Sequence, residues 1–250
     1  MQPLPRIMVA PNGARRGPDD HPALPVTLAQ TLDTTIACRD AGADGLHLHL
    51  RDQTGRHLLD ADAYRQALAA FDQRMPGFPV QVTTEAAGIY TAQEQRALLA
   101  DLRPAAVSVA AREILSDGQL EDSRTILKSL VAAGSAVQII LYTPKDFDLL
   151  AQLDLPTIQL IFVLGRYSAD QDSDPDDLAP FLQRLSKLPN PPEWALCAFG
   201  RSETECLLAA NRAGGKMRIG FENNLCHADG QVARDNADRV AALVSAFQAT

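Results

Sequence analysis

His47 and His49 stand two residues apart in the stretch 45–52, Gly-Leu-His-Leu-His-Leu-Arg-Asp. Strict alternation of apolar and polar residues is the period of a β-strand, on which residues i, i+2 and i+4 share a face. His47, His49 and Arg51 therefore point one way, and Leu46, Leu48 and Leu50 the other. Two imidazoles on one strand face can reach a single metal ion. A surface strand with an ordinary polar face would show the same alternation, so the stretch gains its weight from the far end of the chain. There, Arg218-Ile-Gly-Phe-Glu222-Asn223 places a carboxylate just past another apolar run. Two histidines and one glutamate, drawn from different strands, make a three-ligand set that leaves positions open for substrate, the mark of a catalytic site. The same set suits non-haem iron, so ligand type alone does not fix the metal.

The elements that must bring these residues together read as a repeating βα unit. Short apolar runs, expected as strands, fall at 6–10, 45–51, 79–84, 105–111, 136–142, 157–164, 194–199 and 216–221. Helical segments are expected at 27–41, 61–71, 92–100, 123–133, 143–153, 176–188, 202–213 and 238–247. Thr27 and Ser202 stand at N-cap positions, while Gly42 and Gly134 act as stops. Polar loops are expected at 14–25, 52–59 and 166–174. Eight strands alternating with eight helices imply a parallel sheet with right-handed crossovers. At 250 residues the simplest closure is one (β/α)8 TIM barrel, forming a single domain over 1–250. An open doubly wound sheet is the competing arrangement, but no GxGxxG follows the first strand.

Composition narrows the function classes. A formal net charge of −8 and the lack of a Lys/Arg run argue against a duplex-binding surface. No apolar run approaches a membrane span, and the first residues lack the basic-then-apolar layout of a signal peptide. The expectation is a cytoplasmic protein, with Cys38, Cys197, Cys206 and Cys226 as reduced thiols, since they form no CxxC pair.

In a barrel of this kind the chemistry collects at the C-terminal ends of the strands. The residues there include Arg15, Arg51, Arg112, Arg201 and Arg218, hydroxyls from Thr83, Thr84, Ser108 and Tyr142, the Asn12 amide and the Glu85 carboxylate. Several arginines at one rim of an acidic protein point to an anionic ligand. Salt bridges to Asp19, Asp20, Asp52 or Glu85 would occupy some of them, and Arg218 could simply pair with Glu222. His57 and His227 lie in polar stretches and are expected to be exposed.

These residues resemble the β-keto acid cleavage enzymes, best known from the 3-keto-5-aminohexanoate cleavage enzymes of lysine fermentation. The resemblance covers essentially the whole chain. It rests on Asn12-Gly-Ala14, Pro22-Ala-Leu-Pro-Val-Thr27, His47-Leu-His-Leu-Arg51, Gly200-Arg201 and Arg218-Ile-Gly-Phe-Glu-Asn-Asn-Leu225. HxHxR together with RxGxE is far more specific than either part. The resemblance implies a zinc-bound barrel, usually a homo-oligomer (dimer or tetramer). Its reaction takes a β-keto acid and acetyl-CoA to acetoacetate and a new acyl-CoA. By position, His47, His49 and Glu222 match the zinc ligands, Arg218 the arginine of a catalytic arginine–aspartate pair, and Thr83 a serine that contacts the keto acid. Arg15, Arg51, Thr83, Thr84 and Ser108 are the expected substrate-binding side chains. Arg15 stands where the aminohexanoate enzymes carry an acidic residue, which favours an anionic substrate tail over an ammonium.

The chain departs from the family pattern in its proton-transfer parts. The partner aspartate is Asn223, and the fifth strand reads Gln138-Ile-Ile140 where the family has a glutamate. The Ser-Thr-Gly turn becomes Thr83-Thr84-Glu85, and a strand-four asparagine becomes Ala110. Three functions stay open at this level: β-keto acid cleavage with an altered substrate, a different metal-assisted reaction such as hydrolysis or a lyase step, and ligand binding without catalysis.

Overall fold

The computed structural model describes residues 1–166 and 172–249. In chain order it holds β1 (Ile7–Val9), α1 (Leu28–Asp40), β2 (Gly45–Leu48), β3 (Leu50–Arg51), β4 (His57–Leu58), α2 (Ala61–Arg74) and β5 (Val80–Thr83). There follow α3 (Ala92–Leu102), β6 (Ala106–Ala110), α4 (Ala111–Ile114), α5 (Leu120–Ala132), β7 (Ala136–Leu141), α6 (Asp146–Leu153) and β8 (Gln159–Leu164). A 3₁₀ turn (Pro175–Leu178), α7 (Ala179–Leu185), β9 (Trp194–Ala198), α8 (Glu203–Arg212), β10 (Lys216–Ile219) and α9 (Asn236–Gln248) complete the order.

Eight strands close into a parallel barrel in the order β1-β10-β9-β8-β7-β6-β5-β2, as the βα rhythm requires. β1 is the seam between β2 and β10, with Met8 opposite Gly45 on one side and Arg218 on the other. Two apolar layers result. Outward-facing residues such as Leu46, Leu48, Leu160 and Phe162 pack on the helices in the main core. A smaller cluster, including Ile140, Ile161, Val163 and Cys197, fills the barrel interior.

Local chemistry explains where the elements depart from the sequence reading. The histidine strand does not run unbroken to Arg51. β2 ends at Leu48, and Leu50–Arg51 pairs antiparallel with β4 in a small hairpin above the barrel. The Asp52 carboxylate holds that turn by accepting from the backbone N–H of Thr54 and Arg56. Helix α6 starts at Asp146, not at Thr143, because the Asp146 carboxylate accepts from the N–H groups of Tyr142 and Thr143 and closes a turn ahead of it. Pro175 and Pro180 accompany the division of the expected 176–188 helix into a 3₁₀ turn and α7. Ser202 makes no capping bond, whereas Thr27 forms a full capping box with Gln30. Of the polar loop expected at 166–174, residues 167–171 lie outside the described residues.

Candidate metal centre and active site

β2 and the turn after β10 flank β1, so the barrel brings the histidines and Glu222 together despite their separation in sequence. The Nε2 atoms of His47 and His49 lie 3.0 Å apart, and Glu222 Oε2 is 3.7 Å from the first and 3.4 Å from the second. Ligand atoms about 2.0–2.1 Å from a tetrahedral ion would stand about 3.3 Å apart. The three atoms therefore fit one divalent cation. The chemistry of the set agrees. Burial, reinforced by the Arg218 charge, holds the His47 imidazole well below its ordinary pKa, which leaves it neutral and free to ligate. Burial by itself would raise Glu222. The Arg218 guanidinium, 3.2 Å from Oε1, together with His49 and His47 outweighs it and keeps the carboxyl well below the usual range. Oε2 faces the histidines with no hydrogen-bond partner among the described residues. His47 Nδ1 is bonded to Gln81 Oε1 at 2.9 Å, on the side away from the other ligands.

His47 and Glu222 of this set line a cavity of about 150 Å³ at the C-terminal end of the barrel. Arg218 enters its wall from β10, with Nε and Nη1 buried and without partners among the described residues. Thr83 and Arg15 line the wall, and Arg15 forms no hydrogen bond or ion pair among the described residues. Arg51, Thr84 and Ser108 do not. Arg51 donates to the carbonyls of Gly13, Arg16 and Gly55, so it anchors the 12–16 loop behind the cavity. Thr84 spends its hydroxyl on the Ser108 carbonyl, and the Ser108 hydroxyl is fully buried. Arg112 is engaged bidentately by Asp146 at 2.8 Å and lies over Tyr142. Asn223 is buried with neither amide atom hydrogen-bonded among the described residues, and it lines no part of the cavity. Arg218 pairs instead with Glu222 and the Cys197 sulfur.

His57, expected to be exposed, is buried. Its Nε2 is bonded to the Glu85 carbonyl, and burial pushes its pKa down to about 3. His227 is half-buried against Asp238. Two charged wall residues, Arg16 and Arg166, were not singled out in the sequence, whereas Glu85 was among the strand-end candidates. Glu85 sits where the family pattern has glycine. Its Oε2 is 3.8 Å from His49 Nε2 and its Oε1 is 3.4 Å from Arg166. Arg16 donates to the carbonyls of Phe221 and Asn223 and so ties its loop to the Glu222 turn. Glu85 follows two residues after Thr83 at a strand end, which is the signal that marks it in the sequence; Arg16 and Arg166 lie in loops that carry no such signal.

A closed (β/α)8 barrel with polar side chains converging above its C-terminal strand ends places the chain among barrel enzymes. Within that class it belongs to the β-keto acid cleavage enzyme family, whose sequence model matches residues 6–250. Among its relatives is a 3-oxoadipate:acetyl-CoA acetyltransferase from Cupriavidus necator, 26% identical, with 96% of this chain and 88% of that protein covered. Another is a 3-keto-5-aminohexanoate cleavage enzyme from Fusobacterium nucleatum, 24% identical, with 95% and 89% covered. A ternary complex of ObcA with a C4-CoA adduct and oxalate shares the fold, with a TM-score of 0.66 and 16% identity over 91% of this chain. This chain spans 64% of that one. A type I 3-dehydroquinate dehydratase from Clostridium difficile gives a TM-score of 0.60 at 9% identity, with 98% and 93% covered.

Proposed function

We propose that this protein is a zinc-dependent acyltransferase that converts a β-keto acid and acetyl-CoA to acetoacetate and a new acyl-CoA. The observation that carries the reading is the meeting of His47, His49 and Glu222 beside Arg218 at one cavity, in a chain of this family. When bound, the ion supplies Lewis acidity toward the keto and carboxylate oxygens of the substrate. The chain's own residues do the rest. Arg218 offers two buried, unpaired N–H groups to the substrate carboxylate, and it stays charged at any working pH. Thr83 presents its hydroxyl at the same wall. Ile140, Val163 and Phe199 supply an apolar side that keeps water from the reacting carbon.

Asn223 cannot accept a proton and stands off the wall, so the base falls to another group. Glu85 is the carboxylate on the wall beyond the ligand set, and we assign it the removal of the proton between the keto and carboxylate groups. Arg15 and Arg166 at the wall suit a substrate tail that is itself anionic. A cytoplasmic location, which four free thiols suit, and a homo-oligomeric state belong to the same reading. The test is incubation of the zinc-loaded protein with acetyl-CoA and a panel of β-keto acids that includes a keto dicarboxylate, with acetoacetate as readout. Absence of acetoacetate from every member, with zinc bound, would overturn the proposal. It would favour a different reaction or ligand binding alone, readings that Asn223 and Ile140 keep open.

A further inference from the structure

Inside the barrel, below the ligand set, four polar groups form one line that passes across the barrel from β5 to β7 over β6. His47 Nδ1 is 2.9 Å from Gln81 Oε1. Gln81 Nε2 is 2.9 Å from Gln138 Oε1, and Gln138 Nε2 is 3.0 Å from the Leu160 carbonyl. The line runs from β2 through β5 and β7 to β8, and all three side chains are buried. Its sense is fixed at one end. A backbone carbonyl can only accept, so Gln138 must present its NH₂ to Leu160 and its oxygen to Gln81. Gln81 in turn gives its NH₂ to Gln138 and its oxygen to His47. An amide oxygen can only accept, so the proton of neutral His47 must sit on Nδ1, leaving the lone pair on Nε2. That is the nitrogen facing His49 and Glu222.

We infer that Gln81 and Gln138 are positioning residues that set the tautomer of His47 from the Leu160 carbonyl, and so hold its Nε2 ready for the metal. The inference rests on the reading of His47 as a ligand. Reversing either amide would set two donors or two acceptors face to face in a buried site, which costs on the order of 1–3 kcal/mol. Remote partners of this kind are worth roughly 10–100-fold in metal affinity. Their place on inward faces explains the residue types. A charged partner would need compensation this deep in the barrel, whereas two amides in series satisfy each other and the carbonyl.

The test uses the metal-free full chain and needs no substrate. Two-bond ¹H–¹⁵N spectra of the imidazoles distinguish a protonated Nδ1 from a protonated Nε2. Wild-type His47 is expected to show the Nδ1–H form, and zinc titration to give its reference affinity. Gln138→Met removes the anchor, which frees Gln81 to rotate. The expected result is a mixed or reversed His47 tautomer and zinc binding weaker by roughly 10–100-fold. Gln138→Glu keeps the sense, since a protonated carboxyl can donate to Leu160 and accept from Gln81, and it should restore both. A folded Gln138→Met protein with wild-type tautomer and affinity, or an Nε2–H form in the metal-free wild type, would overturn the inference. If the spectra and zinc titrations agree with it while no β-keto acid is turned over, the failure lies with the acyltransfer reading alone. If wild type holds no zinc, the ligand reading falls and the claim on affinity with it.

Discussion

At the scale of single residues, each member of the site is expected to fail in its own way. His49→Ala leaves two ligands, too few to hold the ion, so that variant should lose zinc by metal analysis. Full occupancy would sink the ligand assignment. Glu85→Gln keeps the shape of the wall but removes the assigned base, and should cut the rate by roughly 10²–10⁴-fold with zinc retained. Asn223→Asp tests the alternative place for that base: with the position buried off the wall, little gain in rate is expected. A large gain in Asn223→Asp beside an indifferent Glu85→Gln would reverse the assignment. Arg15→Glu should shift preference away from anionic toward cationic β-keto acids, read as the ratio of kcat/KM for the two. Much of this scale was legible in the sequence, because HxHxR and RxGxE are local patterns. Glu85 was legible as a strand-end residue but not as part of the cavity wall, since a side chain's direction depends on the turn that carries it. Gln81 gave no signal, and Gln138 stood out only as part of the stretch where the family has a glutamate. A polar residue on an inner strand face looks like any other until its neighbours across the sheet are known.

At the scale of elements, the 12–16 loop is the piece that couples the two ends of the site. Arg51 gathers its carbonyls from one side, and Arg16 reaches from it to Phe221 and Asn223 on the other. Gly13 lies between them with φ of +60°, and a Cβ there would come within 2.5 Å of Glu222 Cγ. Gly13→Ala must therefore displace the carboxylate and strain the backbone by about 1–2 kcal/mol. If most of that strain falls on Glu222, zinc affinity should drop about tenfold, measured by chelator competition. An unchanged affinity would show that the loop absorbs the residue elsewhere. The strands and most helices could be read from periodicity and caps because those depend on near neighbours. The break after Leu48 could not. Alternation continues through His49 to Arg51, and only the pairing of Arg51 with His57 takes the segment out of the barrel. The same hairpin buries His57, whose polar neighbours in sequence suggested the surface.

At the scale of the molecule, the sequence rhythm sufficed for the barrel, and no helix among the described residues is long and apolar enough to cross a membrane. Closure, however, is a long-range event. β1 is short, and it alone joins β2 to β10. The Ala10 N–H donates to the Ile219 carbonyl, and the Ala10 carbonyl accepts from Glu222, so the seam ends at a ligand. Zinc bound to His47 and Glu222 would bridge the two strands on either side of that seam. A ligand that binds only the folded form stabilises it by mass action, so zinc should raise the melting temperature of wild type and leave His49→Ala unmoved. The consequence reaches further than stability at equilibrium. A barrel with a three-residue seam has an obvious place to open, and a metal bridge across it turns that opening from a local fluctuation into one that must first part a coordinate bond. Amide hydrogens of Met8, Val9 and Ile219 should then exchange with solvent slowly, at the pace of zinc release, in the loaded protein and orders of magnitude faster after chelation. The ion that prepares the substrate would also serve as the clasp of the barrel.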